Sequence, residues 1–177
     1  MAAKTDLYDL APLHLRSGEG RHLDLEVPVD AFDLGAERYD VAPSSVPVRL
    51  DVSRMNHGGT ALRLQFTAQL QGPCMRCLEP ASPAYEVDAR EVDQPGEGPE
   101  LDSPYVDGEV VDLGAWVRDA LALTLPAQVL CRPDCLGLCP ECGIDLNAAE
   151  PGHAHEKAPD ARWAALRELT FDEPAGS

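Results

Sequence analysis

At 177 residues the chain has room for one domain, or for one domain with an appendage, and an aromatic content of 5% leaves its core to Leu, Val and Ala. A formal charge of −17 excludes a surface built to wrap nucleic acid, which requires a basic face. No apolar run approaches the ~20 residues that cross a bilayer, and MAAKTDLYDL lacks the apolar stretch of a signal peptide. A cytoplasmic protein with reduced thiols is therefore expected, with no membrane contact.

Residues 1–20 are ambiguous. Leu10, Leu13 and Leu15 suit docking on a core, and Ser17-Gly18-Glu19-Gly20 reads as a turn. In HLDLEVPV, residues 22–29, Leu23, Leu25 and Val27 alternate with Asp24 and Glu26, which predicts a strand. His14 and His22 read as solvated. Residues 30–44 read as irregular. Then Val46, Val48, Leu50 and Val52 alternate with polar neighbours, Asn56-His57-Gly58-Gly59 turns the chain, and Leu62, Leu64, Phe66, Ala68 and Leu70 resume the alternation. This predicts a long antiparallel hairpin over 46–70, one face in the core and one in water. It runs into GPCMRCLEP, where Cys74 and Cys77 form a CxxC in a hairpin connection, and Tyr85, Val87 and Ala89 continue as a strand.

Between Glu86 and Asp112 ten acids face Arg90 alone, and residues 93–104 (DQPGEGPELDSP) carry few apolar side chains, which predicts a mobile loop with a solvated acidic face. Asp112 is placed to cap a helix from Leu113. Leu113, Trp116, Val117, Ala120 and Leu121 recur at helical spacing, and Pro126 ends the run. Trp116 reads as a core residue. A last short helix, capped by Asp160 with Trp163, Leu166 and Leu169 on one face, follows a polar connector.

Four of the six cysteines lie in CRPDCLGLCPECGIDLN. Cys131, Cys135, Cys139 and Cys142 are close enough in sequence, with Gly137 and Gly143 at the bends, to converge on one ion. Four thiolates suit a closed structural Zn²⁺ site with no open position for chemistry. A split site, Cys74 and Cys77 with Cys139 and Cys142, is the alternative, and the sequence leaves the choice open. His153 and His155 could be spare ligands, but four cysteines already fill a tetrahedron. Two disulfides need an oxidising compartment. An iron–sulfur site of radical type needs a cofactor-binding barrel that this strand pattern does not offer.

Enzyme signatures are scarce: the chain has no P-loop, GxGxxG, GxSxG or HExxH. Arginine is unevenly placed, with Arg49, Arg54, Arg63 and Arg76 opposed over that stretch only by Asp51. Arg49 and Arg63 on the polar face of the hairpin, and Arg76 between two cysteines, are candidates for a small contact with phosphate or an acidic partner. Pairing with this chain's own acids is the alternative.

Several stretches together resemble the YceD family: Gly72-Pro73-Cys74-Met75-Arg76-Cys77-Leu78-Glu79-Pro80, Val111-Asp112-Leu113 with Val117-Arg118-Asp119, Leu123-Thr124-Leu125-Pro126, CRPDCLGLCPECG, and Arg162-Trp163-Ala164-Ala165-Leu166. The likeness runs from about residue 13 to 170. It implies a cytosolic bacterial protein needed for accumulation of large-subunit ribosomal RNA, with a CxRC motif at Cys74, Arg76 and Cys77 and a second cysteine cluster at Cys131, Cys135, Cys139 and Cys142. It implies no catalytic residues. Pro73 departs from the polar residue expected before the first cysteine.

The combined expectation is an α+β protein: a curved antiparallel sheet with a packed helix over residues 1–126, and a small zinc-binding subdomain with a short helix over 127–177. It is expected to act without catalysis and without a small-molecule substrate, by binding a ribosomal protein or pre-large-subunit particle, with at most a narrow rRNA contact. Its acidity suits a basic protein partner. A thiol redox protein or sensor using Cys74 and Cys77, and an RNA-processing enzyme, are the alternatives.

Overall fold

A computed structural model describes residues 3–96, 98 and 101–155. The chain divides into two units, Met1–Gly137 and Leu138–Ser177. Residues 127–137, expected to belong with the C-terminal loop, fall in the first. The last helix expected from Asp160 onward lies outside the described residues.

The first unit is an antiparallel sheet with one helix. Its axis is the predicted hairpin: β6 (Ser45–Arg54), a 3₁₀ turn at Asn56–Gly58, and β7 (Thr60–Pro73). Alternation fixes the register: Val48 faces Phe66, Leu50 faces Leu64 and Val52 faces Leu62, all buried. A slip of one residue would carry this whole set into water. β3 (Gly20–Pro28) extends the sheet beyond β6 and brings Leu25 opposite Val48. β9 (Ala84–Asp93) covers the other edge of β7, with Val87 opposite Phe66. A two-residue β1 (Ala3–Lys4) adds to β3 in parallel, while β2 (Leu7–Asp9) joins β10 (Val106–Asp107) and β11 (Val110–Asp112) in a small separate sheet.

Residues 30–44 are a second hairpin rather than irregular chain. β4 (Phe32–Leu34) pairs with β5 (Glu37–Ala42), and β5 pairs in turn with the far end of β7. The turn uses Gly35 at φ +68°, which a side chain rarely adopts. Alternation here was hidden by brevity: only Phe32, Tyr39 and Val41 are buried apolar residues. In the acidic stretch, Ser103 N–H donates to buried Asp93 and Gln94 N–H donates to the Leu101 carbonyl, so its described residues are tied across the loop.

Helix α1 (Leu113–Thr124) begins where the sequence placed it, with Asp112 accepting from Ala115 N–H at 2.8 Å. Leu113, Trp116, Val117, Ala120 and Leu121 are its buried stripe, packed on β9 and β3. Trp116 is a core residue, stacked on Tyr105. Arg118 lies 4.4 Å over the Phe32 ring and donates to the Asp30 and Ala31 carbonyls, so the helix also holds the β4–β5 hairpin. No described helix is long and apolar enough to cross a membrane.

Candidate metal centre

At the end of β7 the chain makes a knuckle. Cys74 N–H donates to the Glu79 carbonyl, Leu78 N–H donates to the Cys74 carbonyl, and β8 (Pro80–Ala81) pairs back onto Gly72 and Pro73. Leu78 closes the turn at φ +65°, a conformation unfavourable for a branched side chain, and its side chain is 64% exposed. Beneath the knuckle lies buried Tyr39, whose hydroxyl donates to the Pro73 carbonyl at 2.8 Å. Gly72 passes directly over that ring: a Cβ there would stand 2.7 Å from Tyr39 Cε1. Gly72→Ala is expected to cost about 1–3 kcal/mol in urea unfolding, the usual scale of overpacking, whereas Gln71→Ala, with its side chain in water, should stay within about 0.5 kcal/mol.

The second half of the site comes from the segment after α1. Val129, fully buried, accepts from Met75 N–H at 2.9 Å, which lays the segment against the knuckle. Cys131 follows, and a turn closed by Cys135 N–H donating to the Arg132 carbonyl presents Cys135. Cys74, Cys77, Cys131 and Cys135 then converge, with all four sulfurs within 4.8 Å of one another. Cys74 Sγ is 3.7 Å from Cys135 Sγ, and Cys77 Sγ is 3.6 Å from Cys131 Sγ. Ligands at tetrahedral angles stand ~1.6 bond lengths apart, so metal–sulfur bonds of ~2.3 Å call for sulfurs ~3.8 Å apart. The four thiols fit one tetrahedral ion.

Arg76, between the two cysteines of the knuckle, stitches the halves together. Its Nε donates to Gln128 Oε1 at 2.9 Å and its terminal nitrogen donates to the Cys135 carbonyl at 3.0 Å. Gly137, at φ +79°, passes close enough that a Cβ would stand 3.1 Å from the Arg76 carbonyl oxygen.

Burial pushes the Cys74 thiol up, but the N–H groups of Cys77, Arg76 and Cys131 outweigh it and hold it down at about 6. For Cys77 the Glu79 N–H favours the thiolate, yet burial and the three neighbouring sulfurs push it up to about 12. Burial also raises Cys131. A divalent cation is what would let all four ionise together.

The second unit has a cluster of its own. Cys139, Cys142, His153 and His155 place their ligand atoms within 4.8 Å of one another. The N–H groups of Cys142 and Glu141 bring Cys139 down to about 6, against the opposing effect of burial. Cys131 and Cys135 therefore join Cys74 and Cys77, while Cys139 and Cys142 join His153 and His155. Neither grouping is one the cysteine spacing suggested, because linear spacing does not display that the β7 knuckle and the segment after α1 meet. The HxH pair was visible in the sequence and was set aside only because four cysteines fill a tetrahedron.

The three expected partner-binding arginines stand apart in role. Arg49 and Arg63 lie on the outer face of the hairpin, as the alternation required. Arg49 pairs with Asp51 at 3.5 Å, and Arg63 makes a two-pronged pair with Asp88 at 2.8 and 2.5 Å. That pair holds the Asp88 carboxyl below its usual range. Arg76 lies at the four-thiol cluster, bonded to Gln128 and the Cys135 carbonyl.

Beside the knuckle opens a cleft of about 680 Å³, lined by Phe32, Leu34, Tyr39, Met75, Leu78 and Leu125, with Asp33 and Glu37 on the same wall.

Fold and site define a class: a small α+β protein in which a strand-end CxRC knuckle and a loop after the helix converge their thiols. The chain belongs to the family described as large ribosomal RNA subunit accumulation protein YceD, whose profile matches residues 62–170. Uncharacterized proteins of Mycobacterium tuberculosis and Mycobacterium bovis are similar to it, each 33% identical over 177 aligned positions that cover 84% of either chain. One from Mycobacterium leprae is 31% identical over 171 positions, covering 92% of this chain and 76% of the relative. No solved structure matches.

Proposed function

We propose that this protein is a non-enzymatic cytoplasmic factor required for accumulation of large-subunit ribosomal RNA, and that it acts by binding a basic ribosomal protein or the pre-subunit particle that carries it. The carrying observation is the family match, which spans the whole four-thiol set from Cys74 to Cys135. Zn²⁺ is the ion this reading places there. Four thiolates are its preferred structural ligand set, and they leave no coordination position for a substrate. A redox role for Cys74 and Cys77 is poorly supported by their burial, since a nucleophilic thiolate must be reachable.

The contact surface in this reading is the cleft beside the knuckle. Exposed Leu78, held in a strained turn at its edge, supplies an apolar anchor, and Asp33 and Glu37 supply charges for a lysine- or arginine-rich segment. The overall acidity would draw a cationic partner in from a distance. Arg49 and Arg63, already paired with acids of this chain, are the smaller part of the interface and would serve a narrow phosphate contact.

The test is genetic with a biochemical control. Depleting the protein should lower the ratio of large- to small-subunit ribosomal RNA. Wild-type protein should restore it, and Leu78→Asp, checked for unchanged metal content, should not. An unchanged ratio on depletion overturns the function, and full rescue by Leu78→Asp overturns the surface.

A further inference from the structure

Residues 138–155, the described part of the second unit, hold very little that could fold them. Cys139 is their one buried side chain, and Ile144 remains 44% exposed. Their regular structure is a single bridge, Leu138 to Asp145, with Cys139 N–H donating to the Ile144 carbonyl and Gly143 N–H donating back to the Cys139 carbonyl. Gly143 makes this knuckle at φ +71°. The described residues 138–155 thus show no core among themselves, and a segment so short needs a staple.

The side chains around that knuckle are arranged as ligands. His155 Nε2 stands 3.3 Å from Cys142 Sγ and 3.1 Å from His153 Nε2, and His153 Nε2 is 3.5 Å from Cys142 Sγ. Around a tetrahedral zinc, with bonds of ~2.0 Å to nitrogen and ~2.3 Å to sulfur, the matching separations are ~3.3 Å for N to N and ~3.5 Å for N to S. Both imidazoles turn Nε2 toward Cys142 Sγ as well as toward one another, the convergence that a shared cation would hold. The other nitrogen of His155, Nδ1, faces the Glu141 carboxylate at 3.8 Å, on the side where metal-bound histidines keep an acidic neighbour.

We propose that Cys139, Cys142, His153 and His155 form a second zinc centre, and that its ion is what folds residues 138–155. This goes beyond the function proposed above and does not rest on it. The centre differs from the four-thiol one in chemistry and access. It has two thiolates rather than four, and Cys142 and both histidines are exposed. A chelator therefore reaches it first, and the chain gives up its two ions in order.

The test uses the full chain without a polyhistidine tag, with zinc as the only metal added for the stoichiometry. Two zinc ions per chain are expected, falling to one in H153A/H155A and to the other one in C74S/C135S. In H153A/H155A amide exchange in residues 138–155 should accelerate at least about tenfold, the scale of losing roughly 1.4 kcal/mol of local protection, while exchange in the β6–β7 hairpin is unchanged. Cobalt titration gives a readout that does not rely on a variant: the more easily chelated ion should show a weaker thiolate charge-transfer band than the retained one. One zinc per wild-type chain, or two in H153A/H155A, overturns the proposal. Failure of the four-thiol site would appear separately, as a metal content unmoved by C74S/C135S.

Discussion

Replacing Cys135 by Ser is expected to remove one metal ion per chain and to lower the thermal midpoint by roughly 8–16 °C. Cys135 is buried and its sulfur lies 3.7 Å from Cys74 Sγ, so the remaining three sulfurs would be left around an incomplete coordination shell. A ligand held a thousandfold above its dissociation constant stabilises the folded state by about 4 kcal/mol, and each kcal/mol moves the midpoint of a domain of this size by about 2–4 °C. Cys74→Ser should do the same although it lies 61 positions away. A chelator should bring the melting of the first unit in the wild type down to the level of either variant, and should leave that transition nearly unmoved in the variants, whose remaining ion belongs to the second unit. Metal analysis beside a thermal melt reads both. If Cys135→Ser and Cys142→Ser removed the same ion while Cys74→Ser removed none, the contiguous cysteines would be the true set.

The second large effect is expected at Arg76. Its two hydrogen bonds join the knuckle to Gln128 and to the Cys135 carbonyl, so it would orient the thiols without touching an ion held by them. Removing such a support costs about 10–100-fold in metal affinity. Arg76→Ala should show that loss in chelator competition. Arg76→Lys should recover little of it, because an ammonium lacks the rigid fork that spans two acceptors. An unchanged affinity, together with failed rescue of ribosomal RNA in cells, would return Arg76 to the partner surface where the sequence first suggested it.

The hairpin, its register and α1 were legible because each follows from local periodicity. Alternation over Val46–Leu70 can bury only one face of a ribbon, and Leu113–Leu121 repeats at helical spacing behind a good cap. The β4–β5 hairpin was not legible, since a three-residue strand shows too little alternation to count. The thiols were legible as ligands by type, but not by partner. Cys135 and Cys131 lie only four and eight positions before Cys139, yet the fold delivers them to Cys74 and Cys77 through Val129 and Met75, whose contacts spacing cannot express. Arg63 illustrates the same limit: alternation placed it in solvent, but only the register of β9 shows Asp88 waiting beside it.

Cys77 and Cys131 are 54 positions apart. Bringing two such points together in a loose chain costs about 3–4 kcal/mol in loop entropy, and here the sheet and helix help to meet that cost by laying the two segments side by side. The early pair of thiols is therefore only a two-pronged clasp on a nascent polypeptide, weak and nonselective. The clasp becomes a lock when translation has passed position 135 and α1 has docked. In the reading proposed above, an ion held by all four thiols would thus report that α1 and the segment after it have docked, and a copy truncated before Cys135 would lack the full ligand set.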